Sequence, residues 1–141
     1  MIPVYNSEKT IKSTVRSIQN QNMIVIEIIL VNDFSNYKTT KSIKELKKKD
    51  PRIKIINNKK NMGIFYSRSI GVLESKGKYI TSIDNDDIFC DKDVFDIIYG
   101  ETDNNLFDII SFKAFVNYSL NNYKEFYIIS KRYDRKNGKL L

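Results

Sequence analysis

An α/β fold on a mostly parallel sheet is what this sequence predicts. Short β-branched apolar runs alternate with stretches of helical periodicity, in the order strand, helix, strand, helix, strand, helix, strand. The run Glu27–Val31 is apolar without interruption after its first residue, the mark of a strand covered on both faces. Polar clusters follow three of the strands: Tyr5-Asn6, Asn32-Asp33 and Asp84-Asn85-Asp86-Asp87. In open α/β sheets, ligands bind beyond the carboxyl ends of the strands.

The elements follow in order. Pro3-Val4 reads as the tail of a first strand. Ser7, a residue type that caps helices, is expected to start a helix running to about Gln21, with Ile11, Val15 and Ile18 on one face. Glu27–Val31 is the second strand and Asn32–Asn36 a polar loop. A second helix is expected over Thr39–Lys49, with Ile43 and Leu46 inward and lysines outward, stopped by Asp50-Pro51. Ile53–Ile56 is a third strand, followed by the loop Asn57–Gly63. A third helix is expected over Phe65–Ser75, with Tyr66, Ile70 and Leu73 facing inward and Gly77 as its C-terminal cap. Gly63 and Gly71 are read as serving the start of this helix and its close packing. Lys78–Ile83 is a fourth strand and Asp91–Tyr99 a short helix. Asp108–Val116 and Glu125–Ile129 read as a hairpin-like pair, and Lys131–Leu141 carries no pattern.

At 141 residues, with 41% hydrophobic and 29% charged residues, the chain has the length and composition of one globular domain. No apolar run approaches the roughly 20 residues of a transmembrane helix. The chain has no histidine, so a Ser-His-Asp hydrolase and a histidine-ligated zinc enzyme are disfavoured. A single cysteine, Cys90, fits a reducing compartment and reads as a small apolar filler. The expected location is cytoplasmic, with peripheral association with the cytosolic face of a membrane left open. The net charge of +7 suits an anionic partner, although lysine-rich solvated faces explain much of it.

Three carboxylates within four residues, Asp84, Asp86 and Asp87, repel one another unless something neutralises them. Two readings stand side by side: a solvated turn capping the helix that follows, or a site for Mg2+ or Mn2+ shared with a diphosphate. Asp33 could accept from a base or a ribose, or close an Asx-turn. Arg68 could meet a base or a phosphate, and Tyr5 could stack on a base or pack.

Together these residues resemble the family 2 glycosyltransferases, which have the GT-A fold. The resemblance is carried by Pro3-Val4-Tyr5-Asn6, Ser17-Ile18-Gln19-Asn20-Gln21, Glu27 to Ser35, Asn61-Met62-Gly63 with Arg68 and Gly71, and Gly77-Lys78-Tyr79-Ile80 before Asp84–Asp87. Five motifs in order are more specific than any one. The resemblance implies a Rossmann-like nucleotide-diphospho-sugar transferase fold and transfer of a sugar, usually from a UDP-linked donor, to an acceptor hydroxyl with inversion. It places Pro3, Tyr5, Asp33, Arg68, Asp84 and Asn85 in the nucleotide-binding set, with Tyr5 and Asp33 at the uracil and Asp84 near the ribose. It makes Asp86 the ligand of Mn2+ or Mg2+, with Asp87 in support. Asn32 departs from the family's usual aspartate, and Ser67 and Ser69 flank Arg68 where Ala and Asn are typical. Residues 1–100 correspond to the nucleotide-sugar-binding half and 101–141 to the start of an incomplete acceptor-side region, with truncation at both ends and the catalytic base expected beyond Leu141. No motif supports Asp103, Asp108, Glu125 or Asp134 as that base.

The alternatives are a non-catalytic nucleotide-sugar-binding module, an inactive fragment lacking the base, and nucleic-acid binding. The last is disfavoured because the lysines are scattered and not interleaved with aromatics. A dinucleotide-binding enzyme is disfavoured because no G-x-G-x-x-G follows the first strand. The acceptor, whether glycan, lipid or protein, is not legible.

Overall fold

The computed structural model describes residues 1–102 and four strand segments within 114–140. The chain divides into two compact units, Met1–Phe95 and Asp96–Leu141. The first contains β1 (Ile2–Val4), α1 (Ile11–Gln19), β2 (Ile28–Asn32), α2 (Tyr37–Lys49), β3 (Ile53–Asn57) and α3 (Ile64–Leu73). Helix α4 (Val94–Glu101) begins at its end.

The three strands form a parallel sheet in the order β1-β2-β3, with Val4 opposite Asn32 and Asn32 opposite Asn57. Every residue of β2 is buried, as its apolar run predicts for a strand with neighbours on both edges and cover on both faces. The core joins Ile2 and Val4 of β1, Ile28 and Leu30 of β2 and Ile53 of β3 to Ile11, Val15 and Ile18 of α1 and Ile43 of α2. Full burial of each such side chain is worth about 1.5–3 kcal/mol.

Several expectations need correction. Helix α1 begins at Ile11, not at Ser7. The Ser7 carbonyl, not its hydroxyl, takes up the first amides, those of Thr10 and Ile11, at 3.1 and 2.9 Å. The Ser7 hydroxyl is buried with no partner among the described residues. Helix α2 begins two residues early, because Asn36 accepts from the Thr39 amide at 2.9 Å and caps the first turn. Helix α3 ends at Leu73 with Glu74 at its cap, so Gly77 is not the cap. The Gly77 amide instead donates to Glu27 Oε1 at 2.9 Å. The inward face of α3 is Ser67 and Gly71, whereas Tyr66 and Leu73 are exposed. Cys90 is exposed and free, not a filler.

Residues 78–83 do not form the fourth strand. They approach one: the Met1 nitrogen donates to the Thr81 carbonyl at 2.6 Å, and the Ile83 amide donates to the Met1 carbonyl at 3.2 Å. That is the pattern of a parallel ladder around one residue. The next residue of β1 on that edge is Pro3, which has no N–H to continue it. The Asn85 side chain takes over, donating to the Pro3 carbonyl at 3.1 Å.

In the second unit, β4 (Ala114–Ser119) and β5 (Asn122–Phe126) pair antiparallel, with Ala114 opposite Phe126. The antiparallel pairing is the expected one, but its strands also take in residues 117–119 and 122–124, which were not expected to be strand. The expected strand residues 108–113 and 127–129 lie outside the described residues, as do Asp103 and Asp108. Residues Tyr133–Asp134 (β6) and Lys139–Leu140 (β7) form a short antiparallel pair where no pattern was legible. Among the described residues no helix is long and apolar enough to cross a membrane.

Candidate functional site

The carboxyl ends of β1 and β2 carry Pro3, Tyr5 and Asp33, whereas Arg68 stands on α3 and Asp84–Asp87 form a turn after residues 78–83. The buried Asp33 follows β2, and its amide donates to the Val4 carbonyl at 2.8 Å, which ties the ends of β1 and β2 together. Its carboxylate accepts from the Asn58 side chain (2.7 Å), the Met62 amide (2.8 Å) and the Gly63 amide (2.8 Å). Gly63, at φ 84°, starts α3 in a conformation that suits glycine. Burial pushes the Asp33 carboxyl up, but the donations from Asn58, Met62, Gly63 and Ser67 outweigh it and hold it below the usual carboxylate range. One carboxylate therefore organises the whole 58–63 loop.

Asn32, where a family aspartate was expected, donates to Asn57 Oδ1 at 2.9 Å and accepts from the Ser35 amide at 3.1 Å. An amide can do both; a carboxylate has no donor. The Ser35 hydroxyl donates to the Val4 carbonyl at 3.1 Å, and the Asn36 amide donates to Asn6 Oδ1 at 2.8 Å. The loops that carry Tyr5 and Phe34 are thus stitched together. Both aromatic side chains are exposed.

Arg68 stands on the first turns of α3 and donates from Nη2 to Asp84 Oδ1 at 2.6 Å. Its Nε is buried and has no acceptor among the described residues. The Asp87 amide closes a turn on the Asp84 carbonyl at 3.2 Å. Thr14 of α1 holds that turn from below, donating to the Asn85 carbonyl at 3.0 Å. Pro3 and Asn85 bond each other, so both position the turn. Asp86 and Asp87 are exposed at its tip. Burial, then the charges of Asp86 and Asp84, hold the Asp87 carboxyl above its ordinary range.

A circuit of bonds therefore runs from Pro3 through Asn85 and Asp84 to Arg68, along α3 to Ser67, through Asp33 to Val4, and back to Pro3. It links Pro3, Asp33, Arg68, Asp84 and Asn85, while Tyr5 and Asp86 follow directly on Val4 and Asn85 and are exposed. Among the described residues no three carboxylate, thiol or imidazole groups gather into a self-sufficient metal cage. Mg2+ and Mn2+ need only one or two carboxylates when a phosphate supplies the rest. Asp84 is paired to Arg68, and Asp86 and Asp87 stand exposed beside it. Asn58 was read only as part of a polar loop, Ser35 as the end of the Glu27–Ser35 motif, and Phe34 as a spacer within it.

The model of the family described as "Glycosyl transferase family 2" matches residues 1–139. An uncharacterized glycosyltransferase of Haemophilus influenzae is 42% identical over 88 residues, 62% of this chain and 27% of that protein. The chain thus spans about a quarter of that relative's length. TarS 1-349 of S. aureus, solved in complex with UDP, matches with a TM-score of 0.69 at 23% identity, over 77% of this chain and 32% of that one. The mannosyltransferase PcManGT from Pyrobaculum calidifontis, solved with GDP-Man and Mn2+, matches with a TM-score of 0.70 at 14% identity, over 75% of this chain and 32% of that one.

Proposed function

Since the chain belongs to glycosyltransferase family 2, we propose that its strand rim binds a nucleotide-diphosphate sugar, with UDP as the nucleotide, for transfer to an acceptor hydroxyl with inversion. The observation that carries this reading is Arg68: one edge of its guanidinium is neutralised by Asp84, while among the described residues its buried Nε has no acceptor and the neighbouring turn residues Asp86 and Asp87 form no ion pair. The unsatisfied donor suits an oxygen of a nucleotide, and the carboxylates suit a divalent ion.

Each residue has a part. Tyr5 offers a ring to the base. Asp33 shapes the base pocket through the 58–63 loop; a direct contact with uracil requires one of its protein donors to yield. Asp84, turned by Arg68, faces the ribose. Asp86, supported by Asp87, would hold Mn2+ or Mg2+. That ion, when bound, neutralises charge on the departing diphosphate. Pro3 and Asn85 hold the acidic turn against β1, so its tip is fixed before donor arrives. No base for the acceptor hydroxyl is assigned among the described residues.

Thermal melting tests the reading. UDP with Mn2+ should raise Tm more than either alone, since a ligand bound only by the folded state stabilises it by about 2.7 kcal/mol at one hundred times its Kd. Asp86→Asn should abolish the synergy without lowering the ligand-free melt, since it removes one of three like charges. Equal melts with and without UDP and Mn2+ in the unmodified chain would reject the assignment.

A further inference from the structure

Phe34 adopts a left-handed backbone, at φ 62°. For a bulky side chain this is strained, because Cβ crowds the following carbonyl. Such strain persists only where the surroundings over-determine it, and it gathers at ligand-binding sites. Here both neighbours are fixed. Asp33 is held through its amide by Val4 and through its carboxylate by the 58–63 loop. Ser35 is held by Asn32 through its amide and by Val4 through its hydroxyl. Glycine or asparagine would take this conformation with less strain. Yet the position carries a phenyl ring that contributes nothing to the core, being 61% exposed. Its loop is bonded to the loop of Tyr5, the second exposed aromatic of the rim, through the Asn36 amide and Asn6.

We infer that Phe34 is a ligand-contacting residue, a rigidly mounted aromatic face against which the nucleobase of the donor stacks. The inference rests on the donor-binding reading above and adds to it a contact and a reason for the strained turn. Aromatic rings suit a base because every base has a π-face, and a held backbone on either side of the ring leaves less freedom to lose on binding.

Calorimetric titration of the whole chain with UDP in the presence of Mn2+ tests it, alongside F34A, F34G and F34Y. F34A and F34G should each weaken UDP by about tenfold, while F34Y should bind as the unmodified chain does. Stability should follow a different order: F34G should melt above F34A, because both lack the ring but glycine alone relieves the backbone. A purely structural role would tie affinity to Tm; here F34G keeps its fold and loses ligand. If F34A binds UDP within about twofold of the unmodified chain, the inference is overturned and the donor reading stands. If F34G melts below F34A, the strain argument fails and the inference with it. If the unmodified chain does not bind UDP, the donor reading falls first and takes the inference along.

Discussion

Asp33 shows how much a single side chain can organise. Asp33→Asn replaces one acceptor with a donor, so either the Gly63 or the Met62 N–H is left facing an N–H. The Gly63 amide would keep Asn61 Oδ1 at 3.1 Å, so the cost is that of a lost hydrogen bond to a charged group, about 1.5–3 kcal/mol. Urea denaturation should show a loss of about 2 kcal/mol, and UDP affinity should fall with it as the 58–63 loop loosens. An unchanged denaturation midpoint would mean that the carboxylate does not hold the loop. The aspartate itself was legible from its place after an apolar strand. Its partners were not, because Asn58, Met62 and Gly63 reach it from a loop some 25–30 residues onward, and polar loop residues carry no periodicity to read. Asn32 is instructive in the same way. As a departure from a motif it reads as a lost charge; in the structure it is the donor-and-acceptor that joins the end of β3 to the Ser35 turn.

Among the elements, α3 departed most from expectation. Its apolar residues suggested an inward face of Tyr66, Ile70 and Leu73, yet the helix turns Ser67 and Gly71 to the sheet. Small residues let the helix axis come close to β1 and β2, which is what brings Arg68 within reach of Asp84. A Cβ at Gly71 would stand 3.3 Å from Val31 Cγ2 and 2.4 Å from the movable end of Met1. Gly71→Ala should therefore be nearly neutral, its helix-propensity gain of about 1 kcal/mol offset by crowding. Gly71→Val adds two methyls against Val31 and should lose about 2 kcal/mol. Chemical denaturation of the two variants measures both, and equal stabilities would contradict the close approach. The helices α1 and α2 were legible because large aliphatics mark their inward faces. Small-residue packing leaves no such mark, and burial rather than periodicity decides it.

Across the whole molecule, the parallel α/β sheet and the polar ends of β1 and β2 were legible, since an apolar run covered on both faces and the polar residues after it are both written in the sequence pattern. The ladder beside β1 was not, because Pro3 interrupts it with a missing N–H that only the paired geometry reveals. Acid stability is a property at this scale. The buried Asp50 joins α1 to the end of α2, accepting from Gln19 at 2.9 Å and from the Arg52 guanidinium at 3.0 and 2.9 Å. The Arg52 bonds, with Gln19 and against burial, hold its carboxyl far below the ordinary range. Asp33 is depressed as well. A carboxyl depressed in the fold stabilises it above its unfolded pKa of about 3.9 and loses that contribution as pH falls through the folded value. Melting temperature should thus hold steady down to about pH 4 and drop below it, with a shallower drop in Asp50→Asn; identical acid limbs would refute the assignment. Finally, the two main-chain bonds between Met1 and residues 81 and 83 have a consequence for the order of assembly. Beyond its pairing with β2, the first segment of the chain bonds a stretch that follows about eighty residues later. Loop-closure entropy for so distant a contact must be met before any gain from it, so the edge of β1 that faces residues 81–83 is expected to pair after the β1-β2 and β2-β3 ladders, whose partners lie closer in sequence.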